Sequence, residues 1–295
     1  MAKYIVSGST TADLSKAHFD AIDVKYICYQ YQMDGVTYVD DLGESISYSE
    51  FYQRMADGAE TKTSQINVEE FVAYFRPFLE QGLDVLHVCL SSGITGVMNS
   101  ANLAKEILLS EFPERKLYIV DSLGASSGYG LLLDTIAHLR DQGMSIDDLY
   151  HWTEENKLRV HHWFFSMDLT FYIKGGRISK AAGAVGQMLN ICPLLNMDYC
   201  GRLIVREKIR TKRKVFKVVV DKMAQLADNG TEYAEKCYVS NSGCLEDAQE
   251  VARQIEERFP NLCGKVEINS IGTTIGSHTG PGTVAVFFWG KKRED

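Results

Sequence analysis

The sequence has no C-x-x-C pair and no long hydrophobic run, and it holds only 5 prolines in 295 residues. Its seven cysteines are odd in number and widely spaced. This pattern argues against a disulfide framework or a zinc knuckle and predicts free thiols in a reducing compartment. No apolar stretch reaches the ~20 residues of a membrane-spanning helix, and the N-terminal apolar run is too short for a signal-peptide core. We therefore expect a cytoplasmic protein.

Positive charge is in deficit, with 31 Lys and Arg against 39 Asp and Glu and a net charge of −8. Non-specific nucleic-acid binding requires a basic field, so this balance argues against a nucleic-acid partner. The seven histidines include no H-E-x-x-H pattern or other metal-ligand spacing, and we expect no metal. The 45% hydrophobic content is typical of a globular chain, and the length suggests about two domains.

Strand and helix patterns alternate in the first half of the chain. Apolar runs at 4–6, 83–90 and 116–121 have the length of buried strands, and helical patterns follow at 97–109 and near 131–140. Asn67, with Glu70 three residues later, predicts the start of a further helix that runs to about Glu80. Strands that alternate with helices predict a parallel sheet with helices on its faces.

The second half has a different pattern, with an aromatic strand at 162–167, a hairpin turn at 197–203 and a buried strand at 283–289. We expect an α/β fold of two domains. Residues 1–160 would form an N-terminal domain with a parallel sheet, and residues 161–295 a C-terminal α+β domain with a mixed or antiparallel sheet.

Three hydroxyl-rich segments follow or precede predicted elements, at 63–65, 91–96 and 122–128. The segment 91–96 leaves a strand and enters a helix, and ligands of open α/β sheets bind at that edge. The free N–H groups of the helix start favour an anion. The segment lacks the lysine of a phosphate loop, so it suits a single carboxylate better than a triphosphate. The alternative is that these side chains only cap helices and form turns.

A glycine-rich segment at 271–283 contains a single histidine, His278. A lone histidine in such a loop is more often a structural hydrogen-bond donor than a functional group. Residues 124–128 also match G-x-S-x-G, so a serine ester hydrolase with Ser126 as nucleophile and His278 as base is an alternative hypothesis. Its context is poor, because Ser126 does not follow the strand directly.

The segment 202–214 holds seven basic residues of thirteen, and we expect it to form a basic helix after the hairpin. A solvated helix face is the simpler interpretation. The functional interpretation is a docking surface for an acidic partner, with Arg202, Arg206 and Arg210 as its candidates.

Five segments in order resemble the DegV family of bacterial fatty-acid-binding proteins: Thr63-Ser64-Gln65, Leu90 to Ala101, Val120-Asp121-Ser122, Lys174 to Ile178, and His278 to Thr283. The resemblance implies two domains with one long-chain fatty acid, of the palmitate, stearate or oleate class, in a tunnel between them. It implies a non-catalytic carrier without a cofactor, and favours a monomer. Some members carry the fatty acid for a separate fatty acid kinase subunit, which is therefore a possible partner.

By the same resemblance, Thr63 and Thr95 hold the carboxylate, and His278 and Arg177 support them. The neighbouring motif residues Ser64, Ser91, Ser92 and Gly93 complete the expected binding set. The tunnel walls are expected at Phe164, Phe165, Met188, Leu189 and helix 181–186.

Besides Thr95, where the family more often has serine, two positions depart from the family pattern. Ile66 stands where proline usually follows T-S-Q, and Gly8-Ser9 stands where the first strand is usually followed by Asp-Ser. The second departure puts a polar role for an acidic residue of the first loop in doubt.

Overall fold

The computed structural model describes residues 4–179 and 191–294. In the first half the elements follow in this order: β1 (Tyr4–Ser9), α1 (Lys16–Ala21), β2 (Lys25–Ile27), β3 (Gln30–Met33), β4 (Val36–Val39), α2 (Tyr48–Ala56), β5 (Thr61–Ser64), α3 (Val68–Glu80), β6 (Asp84–Cys89), α4 (Val97–Glu111), β7 (Leu117–Asp121), α5 (Ser126–Asp141) and α6 (Ile146–Asn156).

In the second half the described elements are β8 (Val160–Ser166), α7 (Thr170–Lys174), β9 (Ile191–Met197), β10 (Leu203–Arg210), α8 (Lys212–Leu226), β11 (Tyr238–Asn241), α9 (Leu245–Arg258), β12 (Glu267–Ser270), α10 (Thr273–Thr279) and β13 (Thr283–Trp289).

These strands form three sheets. A parallel sheet has the order β2-β1-β6-β7, and a mixed six-stranded sheet has the order β10-β9-β8-β13-β11-β12. A small antiparallel sheet, β4-β3-β5, stands beside them. The parallel sheet draws all its strands from residues 4–121 and the mixed sheet from residues 160–289, so the expected α/β fold class is confirmed.

Helix α5 joins the two large sheets, because it packs on β1 from one side and on β8, β11 and β13 from the other. Glycines on this helix allow the close approach. A Cβ on Gly128 would lie 2.5 Å from the Phe287 ring, and one on Gly130 would lie 2.6 Å from the carbonyl oxygen of Ala12. The N-terminal turn of α5 is therefore packed closely between the parallel sheet and the mixed sheet.

Most predicted elements of the parallel sheet are confirmed, and so is the start of α3. Asn67 Oδ1 accepts from the Glu70 N–H at 2.9 Å, and Glu70 Oε2 accepts from the Asn67 N–H at 2.8 Å, which completes a capping box.

Three local predictions are wrong. The basic segment 202–214 does not lie on one helix, because the hairpin turn pairs residues 203–210 with β9 as strand β10, and the helix that follows begins at Lys212. The segment 271–283 contains helix α10 and is not a continuous loop. Helix α5 begins at Ser126, earlier than the predicted 131, since its first turn carries small residues that have no helical hydrophobic pattern. The three-stranded sheet and α2 were not predicted.

All seven cysteines are free. Among the described helices, none combines the length and the apolar character that crossing a membrane requires. Within residues 4–179 and 191–294, no cluster of three or more His, Cys, Asp or Glu side chains could hold a metal ion.

Candidate ligand-binding site

A cavity of about 440 Å³ lies where the loops of the parallel sheet meet α10 and the mixed sheet. That volume is in the range of small-molecule sites. The lining residues are Tyr29, Thr63, Ser64, Gln65, Leu90, Ile94, Thr95, Gly96, Ala125, Ser126, His162, Phe164, Tyr172, Gly176, Arg177, Met197, Leu203, Ile271, Thr274, Ile275, His278, Thr279, Thr283, Ala285 and Phe287.

The cavity has a polar mouth and a buried, mostly apolar floor. Ser64, Gln65, Gly96 and Gly176 are exposed at the mouth, whereas the lining residues of β8 and β13 are all buried. A ligand that fits this gradient has a polar head at the surface and an apolar body inside.

The floor is one face of two neighbouring strands. Phe164 of β8 pairs with Ala285 of β13, and His162 pairs with Phe287. These four side chains line the cavity because alternate residues of a strand point to the same face. His162 is buried and desolvation holds its pKa well below the usual value, so its ring is neutral.

Thr63 and His278 meet at the mouth, although they come from opposite ends of the chain. Thr63 lies near the end of β5, which the antiparallel pairing with β3 holds in place, and His278 lies in the last turn of α10. Thr63 Oγ1 is 2.7 Å from His278 Nε2. Burial, reinforced by the nearby charge of Arg177, lowers the pKa of His278 to about 4.

A neutral His278 carries one ring proton. With that proton on Nε2, the ring donates to Thr63 Oγ1 and leaves the threonine hydroxyl hydrogen free for a ligand. This tautomer also leaves Nδ1 as a lone pair, and Nδ1 is buried without a hydrogen-bond partner. The pair can therefore present a neutral donor to a carboxylate.

Arg177 supplies the positive charge of the mouth. Its Nη1 donates to the carbonyl oxygen of Gly175, and burial lowers the pKa of its guanidinium. Among the described residues no carboxylate pairs with it. A partly desolvated cation without a counter-ion favours an anionic ligand.

Thr95 is held just before α4. Its Oγ1 accepts from the Val97 N–H at 3.3 Å, which leaves the hydroxyl hydrogen for a ligand. The structure thus brings Thr63, Ser64, Thr95, Arg177 and His278 to one cavity, as expected.

The remaining predicted residues, Ser91, Ser92 and Gly93, are not among the lining residues. Ser91 Oγ donates to the carbonyl oxygen of Gly201 at 2.8 Å and accepts from the Gly93 N–H at 3.1 Å. The Ser92 N–H donates to Asp121 Oδ1 at 3.1 Å. Ser91 therefore holds the β9–β10 hairpin against the loop before α4, and the Ser92 N–H binds this loop to the end of β7.

Of the residues expected in the tunnel walls, the structure describes Phe164 and Phe165. Phe164 lines the cavity, whereas the prediction for Phe165 is wrong, because it points to the opposite face and packs 5.4 Å from the Phe216 ring. Met188, Leu189 and the segment 181–186 lie outside the described residues.

Ser126 and Asp13 form a buried pair beside the cavity. The Ser126 hydroxyl donates to Asp13 Oδ2, and Asp13 Oδ1 accepts from the Gly272 N–H at 2.9 Å. The described contacts include no hydrogen bond between Ser126 and His278. An acidic residue of the first loop therefore does have a polar role, contrary to the doubt raised by the sequence.

The three arginines proposed for docking lie on or next to edge strand β10, outside the cavity lining. Arg202 Nε is 3.0 Å from Asp198 Oδ2, and Arg206 Nε is 2.8 Å from Asn196 Oδ1. Arg210 is exposed.

Comparison with known proteins gives matches over the length of the chain. A family model described as "Uncharacterised protein, DegV family COG1307" matches residues 5–291. The DegV domain-containing protein CPE0026 of Clostridium perfringens is 34% identical over 294 residues and covers 100% of both chains.

Two solved structures have the same fold. A DegV family protein from Thermus thermophilus, studied for fatty acid binding, gives a TM-score of 0.84 at 26% identity, covering 98% of this chain and 99% of that one. A stearic acid-binding protein from Eubacterium ventriosum gives a TM-score of 0.83 at 26% identity, covering 97% and 98%. On the family match and the full-length relative, this chain belongs to the DegV family.

Proposed function

We propose that this protein binds one long-chain fatty acid, with the carboxylate at the mouth of the cavity and the acyl chain on the floor. Thr63 and Thr95 hold the carboxylate as hydrogen-bond donors, and His278 and Arg177 support them. The observation that carries the proposal is the change of polarity along the cavity, from Arg177 at the mouth, which has no carboxylate partner among the described residues, to the buried face of β8 and β13. The fatty acid binding of the Thermus thermophilus and Eubacterium ventriosum relatives supports it.

The physical chemistry of the ligand agrees with this site. Burying about 15 methylenes contributes at most ~12 kcal/mol at ~0.8 kcal/mol each. Loss of translational freedom and ordering of the chain offset a large part of that gain. Since the acyl chain supplies most of the affinity, the head group needs only hydroxyl donors and a partly screened cation. Such an anchor avoids the desolvation cost of a fully buried ion pair and allows the ligand to be released.

Removal of the two hydroxyls tests the carboxylate site. We expect the double variant Thr63→Val, Thr95→Val to bind palmitate at least about a hundredfold more weakly, because each of the two lost hydrogen bonds to a charged group contributes about 1.5–3 kcal/mol. Titration calorimetry or displacement of a fluorescent fatty acid measures the affinity.

Thr135→Val is the matched control, because its hydroxyl donates only to the Leu131 carbonyl of its own helix and does not line the cavity. Unchanged palmitate affinity in the double variant would show that the carboxylate lies elsewhere.

A serine ester hydrolase remains the alternative function, since Ser126 begins a helix with a φ of 55° next to the cavity. Against it, the Ser126 hydroxyl donates to Asp13 and His278 Nε2 is engaged with Thr63. We expect no labelling by a fluorophosphonate probe. Labelling that disappears in Ser126→Ala would establish the hydrolase.

We also propose that the protein presents its fatty acid to a fatty acid kinase, as the family resemblance implies. Arg202, Arg206 and Arg210 are the proposed docking residues. Reversal of these three charges to glutamate is expected to lower the turnover of a partner kinase and to leave palmitate affinity unchanged. Equal loss of both would show that the variant misfolds or that β10 belongs to the lipid site.

A further inference from the structure

Helix α10 brings Thr274, Ile275, His278 and Thr279 to the cavity, yet it has only 7 residues. A helix of this length has little stability of its own. Its position, and with it the direction of the His278 ring, is therefore set by contacts from outside the helix. Four side chains from the first half of the chain form hydrogen bonds with the main chain of residues 271–277.

Two buried carboxyl groups accept main-chain N–H groups at the start of this helix. Asp13, 2% exposed, accepts from Gly272 at 2.9 Å, and Asp40, 1% exposed, accepts from Thr274 at 3.2 Å. Gly272 has no Cβ, and one built there would lie 2.8 Å from Asp13 Oδ1. The two side chains thus fix the main chain at both ends of the 272–274 segment.

Asp13 also reaches the other wall of the cavity, since its second oxygen accepts from the Ser126 hydroxyl at the start of α5. Ser126 and Asp13 both have a positive φ, 55° and 49°, a backbone region that such residues adopt at a cost of about 1–2 kcal/mol. Their mutual hydrogen bond holds both conformations.

Neither carboxyl has a cationic partner among the described residues. Burial raises the pKa of both groups, and the charge of Asp40 raises that of Asp13 further. The hydroxyls of Thr10, Thr273 and Thr274 surround Asp40 and oppose the rise. Tyr48 and Tyr52 of α2 also face the two groups. A buried carboxyl that acts as a hydrogen-bond acceptor needs its oxygen atoms and not its charge.

We infer that Asp13 and Asp40 are positioning residues of the fatty-acid site, which seat α10 through its first main-chain N–H groups and thereby aim His278 at Thr63. This inference rests on the proposed function. Two other contacts hold the same segment, from the Tyr52 hydroxyl to the Ile271 carbonyl at 2.7 Å and from Thr61 Oγ1 to the Ser277 carbonyl at 3.2 Å. Loss of one aspartate therefore displaces the helix without detaching it.

The test compares palmitate with hexadecanol, which has the same chain length and no carboxylate, on the full-length protein. We expect Asp13→Ala to lose about tenfold in palmitate affinity and less than about twofold in hexadecanol affinity. Asp13→Asn keeps an acceptor for Gly272 and gains a donor for Ser126, so it is expected to restore palmitate binding. A purely structural role would weaken both ligands together.

A double-mutant cycle identifies the route of the effect. If Asp13 acts through His278, Asp13→Ala has no further effect on the palmitate preference of a His278→Ala protein. Equal losses for both ligands, a full loss in Asp13→Asn, or additive losses in the cycle would overturn the inference.

Should Asp13→Ala fail to fold, Asp40→Ala, which removes one main-chain hydrogen bond, takes its place with the same outcomes. A wild-type protein that binds no palmitate would instead refute the proposed function.

Discussion

His278 acts at the mouth of the cavity as a neutral hydrogen-bonding group. Its pKa of about 4 keeps the ring uncharged at neutral pH, and Nε2 contacts Thr63 at 2.7 Å. The positive charge comes from Arg177, which carries it at any physiological pH. His278 thus orients the Thr63 hydroxyl, and Arg177 supplies the positive charge.

Palmitate affinity is therefore expected to stay within about twofold between pH 8 and pH 6, because no protein group proposed to touch the carboxylate titrates there. Displacement of a fluorescent fatty acid at constant ionic strength measures it. An affinity about tenfold higher at pH 6 than at pH 8 would show that a protonated histidine binds the ligand.

At the level of single residues, the family resemblance predicts those members of the candidate site that carry the family's motifs. The hydroxyls of Thr63 and Thr95 and the side chains of His278 and Arg177 all line the cavity. Asp13 was missed, because its role depends on a positive φ and on a contact with Gly272, which is 259 positions away in the chain.

Local signals explain the elements that the sequence predicts correctly. The capping box of Asn67 and Glu70 lies within four residues and fixes the start of α3. The basic run 202–214 was predicted to lie on one helix face, but residues 203–210 pair with β9, with a bulge between Val205 and Glu207, and that pairing decides their conformation. Elements that depend on a partner strand are thus the ones that composition alone misassigns.

We expect Asn67→Ala to lower the free energy of unfolding by about 1 kcal/mol, since it removes the hydrogen bond to the N–H of Glu70. Urea denaturation measures this change. Palmitate affinity should not change, because α3 does not line the cavity. A parallel loss of binding would show that the start of α3 contributes to the site.

The whole molecule buries several histidines in neutral form. Burial lowers the pKa of His87 to about 3 and that of His161 to about 4, as for His278, and it lowers the pKa of His162 well below its usual value. Each of these groups binds a proton more tightly in the unfolded chain. Asp13 and Asp40 act in the opposite direction, because burial raises their pKa and their contribution to stability is lost as pH rises.

The four histidines outnumber the two carboxyl groups, so stability should fall as pH decreases from about 6.5 towards 4. Each net proton that the unfolded chain binds beyond the folded chain contributes a slope of about 1.4 kcal/mol per pH unit. Urea denaturation at pH 7 and pH 5 measures the difference. Equal stability at the two pH values would contradict the assignment of neutral buried histidines.

The two large sheets also support a proposal for domain organisation. Strand β8 begins at Val160 and is the first strand of the mixed sheet in chain order, so we propose a domain boundary near residue 160. The cavity lies between groups from both sides of this boundary, and Asp13 and α5 hold the two sides together. Such long-range contacts cannot be derived from one sequence, because no local pattern specifies them.

The most direct test of fatty-acid binding is the mass of the protein measured under native conditions, followed by extraction of any bound lipid into organic solvent. We expect one C16–C18 fatty acid per chain after purification from bacteria, or one equivalent taken up when palmitate or oleate is added. A protein that carries no fatty acid and takes up neither would contradict the proposed function and leave only the fold and the family.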